Sequence, residues 1–582
     1  MIKLLRTTVL LAAFLATAGN AVAANHAKTV QPLGIGPYPV ACSNLAHNEA
    51  LMNQIGGLPA DFWEGIDNNG QGRYLTQILA EPQTTLQFTL NIPDDRGLYE
   101  HFAADTLPMV VMTCYPTSSA NNRPDYRLPD AQSIPRMERA GDLPIFPDSV
   151  GQYPLLVYSH GLGGSPLSDD YLGTITQLAS HGYIVMAVFH GDARVTRLRI
   201  SDLSGVAYLV ANFGRYVELQ ALRPLAMKRA LDYLLNRQGY AGRINTAQIG
   251  GFGASLGGEA MLLSMGAHLT QSYPSLSSRP VEQDSRIKAA VGYVPYTGQS
   301  FLPAFGNDQR GADYVTRPFL ALSGTIDTTA PIKLAEQAVN RLKGSRYLVA
   351  LSDVPHGYHP EYAPDVFTWT LTFLDAHVKG DRAALDKLVR MSHVEGGLAD
   401  EMRIDYTAPT ATGPGEVLVT EFYNELTKHF INAIGQWEVD LVASYVERGW
   451  RPTGQQFKAL MEFPGVVADP PLAAIARPTC RFYRGNAADL LSGDDTIFLT
   501  TDETTCNIGK SMPNQWTYIG SPIFLKSPDL TGQCPEGWIG INRAFNNDLN
   551  SVNHRFTTSN ASVDEVVRSK WNAEGVAMCA PL

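Results

Sequence analysis

The stretch that decides the fold is Ala247-Gln-Ile-Gly-Gly-Phe-Gly-Ala-Ser255-Leu-Gly-Gly-Glu-Ala-Met-Leu-Leu-Ser-Met265. Its first part, up to Phe252, is typical of a buried strand, and its last part, from Glu259, has the pattern of a helix. Between them Ser255 stands in the motif Gly-x-Ser-x-Gly, in which the glycines permit a tight turn that larger side chains would obstruct. Such a turn presents the serine hydroxyl at the carboxyl end of a sheet. We therefore predict that Ser255 is a nucleophile on a strand–turn–helix unit.

Outward from this stretch, from about residue 85 to 395, short apolar runs alternate with helical patterns. The predicted strands are Met109–Cys114, Tyr153–Tyr158, Tyr183–Val188, Ala247–Phe252, Ile287–Val294, Phe319–Ser323 and Tyr347–Leu351. The predicted helices are Asp170–His181, Pro224–Asn236, Glu259–Gly266, Ile332–Leu342 and Pro364–Val378. The alternation predicts an α/β fold with a mostly parallel sheet that helices cover on both faces. The first strand precedes the alternation, so we predict that it belongs to an antiparallel edge.

A serine hydroxyl is a weak nucleophile near neutral pH, so the site also needs a base and an acid that orients the base. In this fold class the chain order is serine, acid, histidine. Asp327 follows the sixth predicted strand and His356 follows the seventh, so we predict them as the acid and the base. His359 stays open as a rival base, and Asp353 as a weaker rival acid.

Acyl transfer also needs two N–H donors aimed at the developing oxyanion. The backbone N–H of Leu256, directly after the nucleophile, is the first predicted donor. The second is predicted at Leu162, in the glycine-rich loop Ser159-His-Gly-Leu-Gly-Gly164, with Gly161 as the alternative. His160 precedes the serine in the chain, so we predict that it supports the loop rather than acting as the base.

These motifs, in this order, resemble those of the platelet-activating-factor acetylhydrolase and dienelactone hydrolase branches of the α/β-hydrolases. The resemblance covers about residues 85–395 and is carried by Val110-Val-Met-Thr-Cys-Tyr-Pro-Thr117, Tyr158-Ser-His-Gly-Leu-Gly-Gly164, Gly253-Ala-Ser-Leu-Gly-Gly258, the Asp327 loop and His356-Gly-Tyr358. It implies an α/β-hydrolase fold and a serine ester hydrolase. The sequence departs from the acetylhydrolases at Ala254, where they usually carry histidine, and in the long stretch between His190 and Ile244.

Export is predicted by residues 1–23, which have the three parts of a secretory signal: Lys3 and Arg6, an apolar run, and the small residues Ala21-Val-Ala23. We expect the mature protein in the periplasm or the medium, without a membrane span. The net charge of −11 and the absence of any dense Lys/Arg cluster argue against nucleic acid or an anionic membrane surface as the main partner.

Cysteine usage fits an oxidising compartment, since six cysteines follow the signal and none forms a CxxC pair of the kind that binds zinc. The sequence leaves their connectivity open. Bridges that stay within one domain favour the pairs Cys42–Cys114, Cys480–Cys506 and Cys534–Cys579.

The predicted domains are an α/β-hydrolase domain over 24–400, with an N-terminal extension over 24–84, a Pro- and Gly-rich linker over 401–416, and a β-rich module over 417–582. The module contains three degenerate copies, which begin at Glu421-Phe-Tyr-Asn424, Arg481-Phe-Tyr-Arg484 and Arg543-Ala-Phe-Asn546. They predict one compact pseudo-threefold unit, because a single copy could not bury its aromatic side chains alone.

The module resembles a three-copy module found at the ends of secreted bacterial proteins, whose activity is not established. Trp450, Trp516 and Trp571 are predicted to fill its core, with stacking on a sugar or polymer as the alternative. A role in binding a surface or polymer stays open.

The leading hypothesis is a secreted serine carboxylic-ester hydrolase that acts through an acyl-enzyme on a small lipid-like or polyester substrate. The Ser-His-Asp mechanism needs no cofactor or metal, so none is predicted. A serine peptidase or amidase is the alternative enzyme, since the same triad cleaves amides. A surface-binding protein with an inert hydrolase domain is the alternative outside enzymes. The sequence leaves the oligomeric state open.

Overall fold

A computed structural model describes residues 28–55, 74–129, 132–147, 151–168, 171–195, 211–410, 412–461, 476–485, 491–548 and 550–582. The predicted signal, residues 1–23, lies outside the described residues. The chain divides into two compact units. The N-terminal unit contains Thr29–Leu388 and His393–Arg403, and the C-terminal unit contains Val389–Ser392 and Ile404–Leu582.

A ten-stranded sheet forms the centre of the N-terminal unit. In chain order its strands are β1 (Val40–Cys42), β2 (Gln87–Asn91), β3 (Thr106–Pro116), β4 (Tyr153–Ser159), β5 (Ile184–Phe189), β6 (Ile244–Ala254), β7 (Ile287–Tyr293), β8 (Phe319–Gly324), β9 (Arg346–Leu351) and β10 (Asp400–Tyr406). Their spatial order is β10, β9, β8, β7, β6, β4, β5, β3, β1, and β2 pairs with β3. Strands β4 to β9 pair in parallel, whereas β1, β2 and β3 form antiparallel pairs. All seven predicted strands are present, and the α/β class is confirmed.

Burial explains why the central strands are mostly apolar, since every residue of β4, β5, β8 and β9 is buried. Met109–Cys114 belongs to an antiparallel edge of the sheet, as predicted, because β1, β2 and β3 form the antiparallel end of the strand order. Beyond it lies β1, from the predicted N-terminal extension, and Cys42 stands directly opposite Cys114. A three-residue strand has too little periodicity to be predicted from its sequence.

The helices of this unit are α1 (Glu49–Ile55), α2 (Tyr171–Ser180), α3 (Phe213–Leu235), α4 (Leu256–Ser264), α5 (Ile332–Arg341), α6 (Ala363–Leu374) and α7 (Arg382–Arg390). The predicted start of α3 at Pro224 is wrong, because the helix begins at Phe213 and Pro224 lies inside it. Proline lacks an N–H and favours the first turn of a helix, so the sequence indicates a start there. Within the described ranges, none of the helices combines the length and the apolar character that crossing a bilayer requires.

The C-terminal unit is rich in antiparallel strands. They are β11 (Glu416–Asn424), β12 (Phe430–Ile434), β13 (Trp450–Met461), β14 (Arg477–Arg484), β15 (Thr496–Thr500), β16 (Thr517–Tyr518), β17 (Ile523–Leu525), β18 (Trp538–Phe545), β19 (His554–Thr557) and β20 (Asn572–Pro581). Its helices are α8 (Gly435–Ala443), α9 (Glu503–Lys510) and α10 (Asn560–Arg568). One sheet has the order β12, β11, β13, β17, β14, β15, with β16 beside β14, and a second has the order β19, β18, β20.

Each of the three predicted copies contains two strands, a helix and a further strand, as in β11-β12-α8-β13. A pseudo-threefold arrangement of the copies stays a prediction. Trp450 and Trp516 are buried in the main apolar cluster of the unit, and Trp571 packs against a smaller cluster, edge-on to Phe430. All three tryptophans therefore pack against the apolar interior of the unit.

Disulfides join Cys42 to Cys114, Cys480 to Cys506 and Cys534 to Cys579, the three pairs that the sequence favours. Each bridge lies within one unit. The predicted linker, residues 401–416, begins inside β10, so its first residues are part of a strand.

Candidate active site

Ser255 occupies the sharp turn between β6 and α4. Its φ of 52° and ψ of −118° lie in a region that residues with a side chain rarely adopt. A Cβ on Gly253 would overlap the carbonyl oxygen of Gly257, and a Cβ on Gly257 would overlap that of Ser159. The Ser255 N–H donates to the Tyr293 carbonyl at 2.9 Å. The turn is therefore held by the neighbouring strand, and it requires glycine on both sides of the serine.

His356 connects Ser255 to Asp327. Its Nδ1 lies 2.8 Å from Asp327 Oδ2, and its Nε2 lies 2.9 Å from Ser255 Oγ. A carboxylate only accepts hydrogen bonds, so Nδ1 carries the proton and Nε2 presents its lone pair to the serine hydroxyl. The three residues follow β6, β8 and β9, whose carboxyl ends meet at the same edge of the sheet.

Hydrogen bonds to neighbouring backbone groups fix the loops that carry Asp327 and His356. Asp327 is buried, and its Oδ1 accepts the N–H groups of Thr329 and Ala330, both at 2.8 Å. The hydroxyl of Tyr293, at the end of β7, donates to the Gly357 carbonyl at 2.8 Å. The His356 side chain itself is 29% exposed, so a molecule from solvent can reach it.

The two rival residues lie away from this arrangement. His359 is exposed and packs edge-on against the ring of Tyr362. Asp353 is also exposed, and its N–H donates to Thr325 Oγ1 at 2.9 Å. The structure therefore brings His356 and Asp327 to the serine, and neither rival.

The candidate oxyanion donors lie on both sides of the nucleophile. Leu256 is the first residue of α4, and Leu162 lies in the loop after β4. A Cβ built on Gly161 would stand 3.4 Å from the Cβ of Ser255, so this loop passes next to the serine. In the part of the chain that the structure describes, the N–H groups of Leu162, Leu256 and Gly161 have no protein acceptor. All three are available to an oxyanion, and the choice between Leu162 and Gly161 stays open.

His160 supports the loop, as the sequence predicts. It is fully buried, and its Nε2 accepts the His190 N–H at 3.1 Å, so its Nδ1 carries the proton and donates to the Gly161 carbonyl at 2.7 Å. Burial, with the nearby Arg223 guanidinium, lowers the pKa of His160 to about 4. The ring is therefore neutral near pH 7.

Two further side chains hold this loop, Arg223 in α3 and Asp192 after β5, and no sequence motif predicts either of them. They stand 63 and 29 residues from the loop positions that they bind, so no local motif connects them. The only signal was a polar residue close after a predicted strand. Across the described ranges, no group of three or more His, Cys, Asp or Glu side chains is arranged to hold a metal ion.

A comparison with known protein families also supports a hydrolase. Residues 142–199 match the family model of platelet-activating factor acetylhydrolase, isoform II. This match supports an α/β-hydrolase of the platelet-activating-factor acetylhydrolase kind. It covers β4, the glycine-rich loop, α2 and β5, and it ends before Ser255. A search of curated proteins finds no match.

Proposed function

We propose that the protein is a serine carboxylic-ester hydrolase with Ser255 as nucleophile, His356 as general base and acid, and Asp327 as the residue that orients the histidine. The observation that carries this proposal is the pair of hydrogen bonds that one imidazole ring makes, one with Asp327 and one with Ser255. The family match over residues 142–199 adds independent support for a hydrolase.

The proposed reaction has two steps. In the first, Ser255 Oγ attacks the ester carbonyl while His356 Nε2 takes its proton, and the protonated ring then gives that proton to the leaving alcohol. In the second, water attacks the acyl-enzyme while His356 Nε2 takes its proton; the bond between Ser255 Oγ and the acyl group then breaks, the histidine returns the proton to Ser255 Oγ, and the carboxylic acid leaves. The N–H groups of Leu256 and of Leu162 or Gly161 bind the oxyanion in both steps, and losing one such donor typically costs about 10²–10³ in kcat.

We propose a small lipid-like or polyester substrate that the enzyme meets outside the cytoplasm. The sequence of residues 1–23 and the three disulfides support export. Ala254, which replaces the usual acetylhydrolase histidine, argues against a plain acetylhydrolase. For the C-terminal unit, the repeated strand–strand–helix–strand order supports a pseudo-threefold module.

The test is Ser255→Ala, assayed with short p-nitrophenyl esters. We expect kcat to fall by about 10⁴-fold or more, because the hydroxyl is the attacking atom. Ser264→Ala is the matched control, since Ser264 lies on the same helix and its buried hydroxyl has no partner among the described residues. Unchanged turnover by Ser255→Ala would overturn the proposal.

A substrate panel separates the ester hydrolase from the peptidase or amidase alternative. We expect p-nitrophenyl esters to be cleaved with much higher kcat/KM than matched aminoacyl amides. A fluorophosphonate probe should label the purified wild type and leave Ser255→Ala unlabelled. Failure to label the wild type would favour a binding protein with an inert hydrolase unit.

A further inference from the structure

A buried ion pair holds the loop after β4. The side chains of Arg223 and Asp192 are 1% and 3% exposed and lie 2.5 Å apart. The Arg223 guanidinium also donates to the carbonyl oxygens of His160 and Gly161, the latter at 3.0 Å. Asp192 Oδ2 accepts the N–H of Gly163 at 2.9 Å. One ion pair therefore binds three residues of this short loop.

These contacts set the direction of both candidate oxyanion donors. In a planar trans peptide the C=O and the following N–H point in opposite directions. The His160 carbonyl shares its peptide with the Gly161 N–H, and the Gly161 carbonyl shares the next peptide with the Leu162 N–H. Because Arg223 binds both carbonyls, it turns both N–H groups away from itself, whichever of them is the donor.

The chemistry of arginine suits this task. Its planar guanidinium carries five N–H donors in a fixed fork, so it can bind two carbonyls and a carboxylate at once. His160 adds a second hydrogen bond to the Gly161 carbonyl at 2.7 Å. A buried ion pair is a poor source of stability, because desolvation of the charges offsets most of their attraction. We therefore attribute the burial of this ion pair to the single loop geometry that it imposes, and not to a gain in stability.

We infer that Arg223 and Asp192 are positioning residues that orient the oxyanion-binding peptide after β4. The inference rests on the proposed function, because it gives the loop the role of binding the oxyanion. It goes further by assigning part of the rate to two side chains that do not touch the substrate.

The experiment compares the full-length wild type with Arg223→Lys. A lysine ammonium keeps the charge but lacks the fork, so it cannot bind the whole set of acceptors. We expect kcat for a short p-nitrophenyl ester to fall by about 10- to 100-fold, with KM changed by less than about threefold. A trifluoromethyl ketone, whose carbonyl Ser255 Oγ attacks to form a bound alkoxide, reports on the same peptide. Its inhibition constant should rise by the same factor as kcat falls.

Two further variants make the result decisive. Arg286→Lys is the matched control, since Arg286 pairs with the nearly buried Asp284 in the same unit and contacts no residue of the loop. It should leave kcat and the inhibition constant unchanged. Asp192→Asn keeps the size and removes the charge, and it carries the test if Arg223→Lys does not fold.

The outcomes for the two proposals are distinct. If the folded Arg223→Lys and Asp192→Asn variants keep the wild-type kcat and inhibition constant, the inference is overturned, even though Ser255→Ala is inactive. If melting temperatures fall while both kinetic readouts stay the same, the pair is structural only, and the inference is again overturned. If Ser255→Ala itself retains hydrolysis, the proposed function fails.

Discussion

The carboxyl group of Glu259 lies one helical turn after Ser255 and is almost completely buried. Burial raises its pKa to about 8, and the hydrogen bond that it accepts from the Gln220 amide opposes this shift only in part. The carbonyl oxygen of the Gln220 side-chain amide has no partner among the described residues. Near pH 7 the folded protein therefore keeps a neutral carboxylic acid behind its candidate nucleophile.

This single residue predicts a pH dependence of stability. In the unfolded chain Glu259 has the ordinary pKa of 4.5, so unfolding between pH 4.5 and about 8 releases its proton. The free energy of unfolding should therefore fall as pH rises through this interval. Glu259→Gln removes the dependence, and its amide can bond both ways with Gln220. We expect the variant to gain on the order of 2–4 kcal/mol over the wild type at pH 8 compared with pH 4.5.

Urea denaturation of both proteins at several pH values gives the measurement. The wild-type curve should fall more steeply with pH than that of the variant. Parallel curves would show that Glu259 is ionised in the folded protein and that burial does not raise its pKa.

At the scale of elements, the approach of α4 to β4 depends on a missing side chain. A Cβ on Gly257 would overlap the backbone carbonyl oxygen of Ser159, which cannot move without shifting the strand end. Helix α4 directly follows the proposed nucleophile Ser255 and begins with the Leu256 N–H, and the loop after β4 carries the other candidate donor. Their separation is therefore set by backbone contact at glycine.

Gly257→Ala should push α4 away from β4. We expect a loss of about 1–3 kcal/mol in the free energy of unfolding, and a fall in kcat because the two oxyanion donors move apart. The control is Gly173→Ala in α2, which is exposed and has nothing within 4 Å of a built Cβ. It should leave kcat unchanged and stabilise the protein by up to about 1 kcal/mol. Wild-type kinetics for Gly257→Ala would contradict this account of the packing.

In the molecule as a whole, the proposed triad lies in the N-terminal unit and two of the three disulfides lie in the C-terminal unit. The Cys534–Cys579 bridge closes 45 residues around β18, β19 and α10. Constraining such a loop in the unfolded chain typically contributes about 2–4 kcal/mol.

The double variant Cys534→Ala/Cys579→Ala should lower the unfolding temperature of the C-terminal unit and leave ester hydrolysis at 25 °C unchanged. Cys42→Ala/Cys114→Ala, which removes the bridge between β1 and β3, is the matched comparison in the N-terminal unit. It should lower the temperature at which activity is lost. Calorimetry and residual activity after heating measure the two effects. The prediction assumes that the two units unfold separately. It would be contradicted if both double variants lost activity at the same temperature.

Local sequence patterns predict some residues of the candidate site and not others, and the difference has a physical reason. Ser255, Asp327 and His356 each follow a strand whose last residues are buried, so their common position at one sheet edge follows from local pattern and topology. The predicted start of α3 is wrong, because proline is typical of the first turn of a helix, whereas tertiary packing places Pro224 inside α3. Arg223 was missed because its partners are far away in the chain and no periodicity links them.

Local sequence is sufficient to predict the α/β class, the turn that carries Ser255 and a candidate acid and base after later strands, because each prediction depends on residues that are close together in the chain. It also favoured the three disulfide pairs. The packing of separate elements places His356, rather than His359, next to Ser255. It also brings Arg223 and Asp192 into hydrogen-bond contact with the loop after β4. Distances of about 3 Å between side chains from separate elements are set by how strands and helices pack, and no local pattern encodes them.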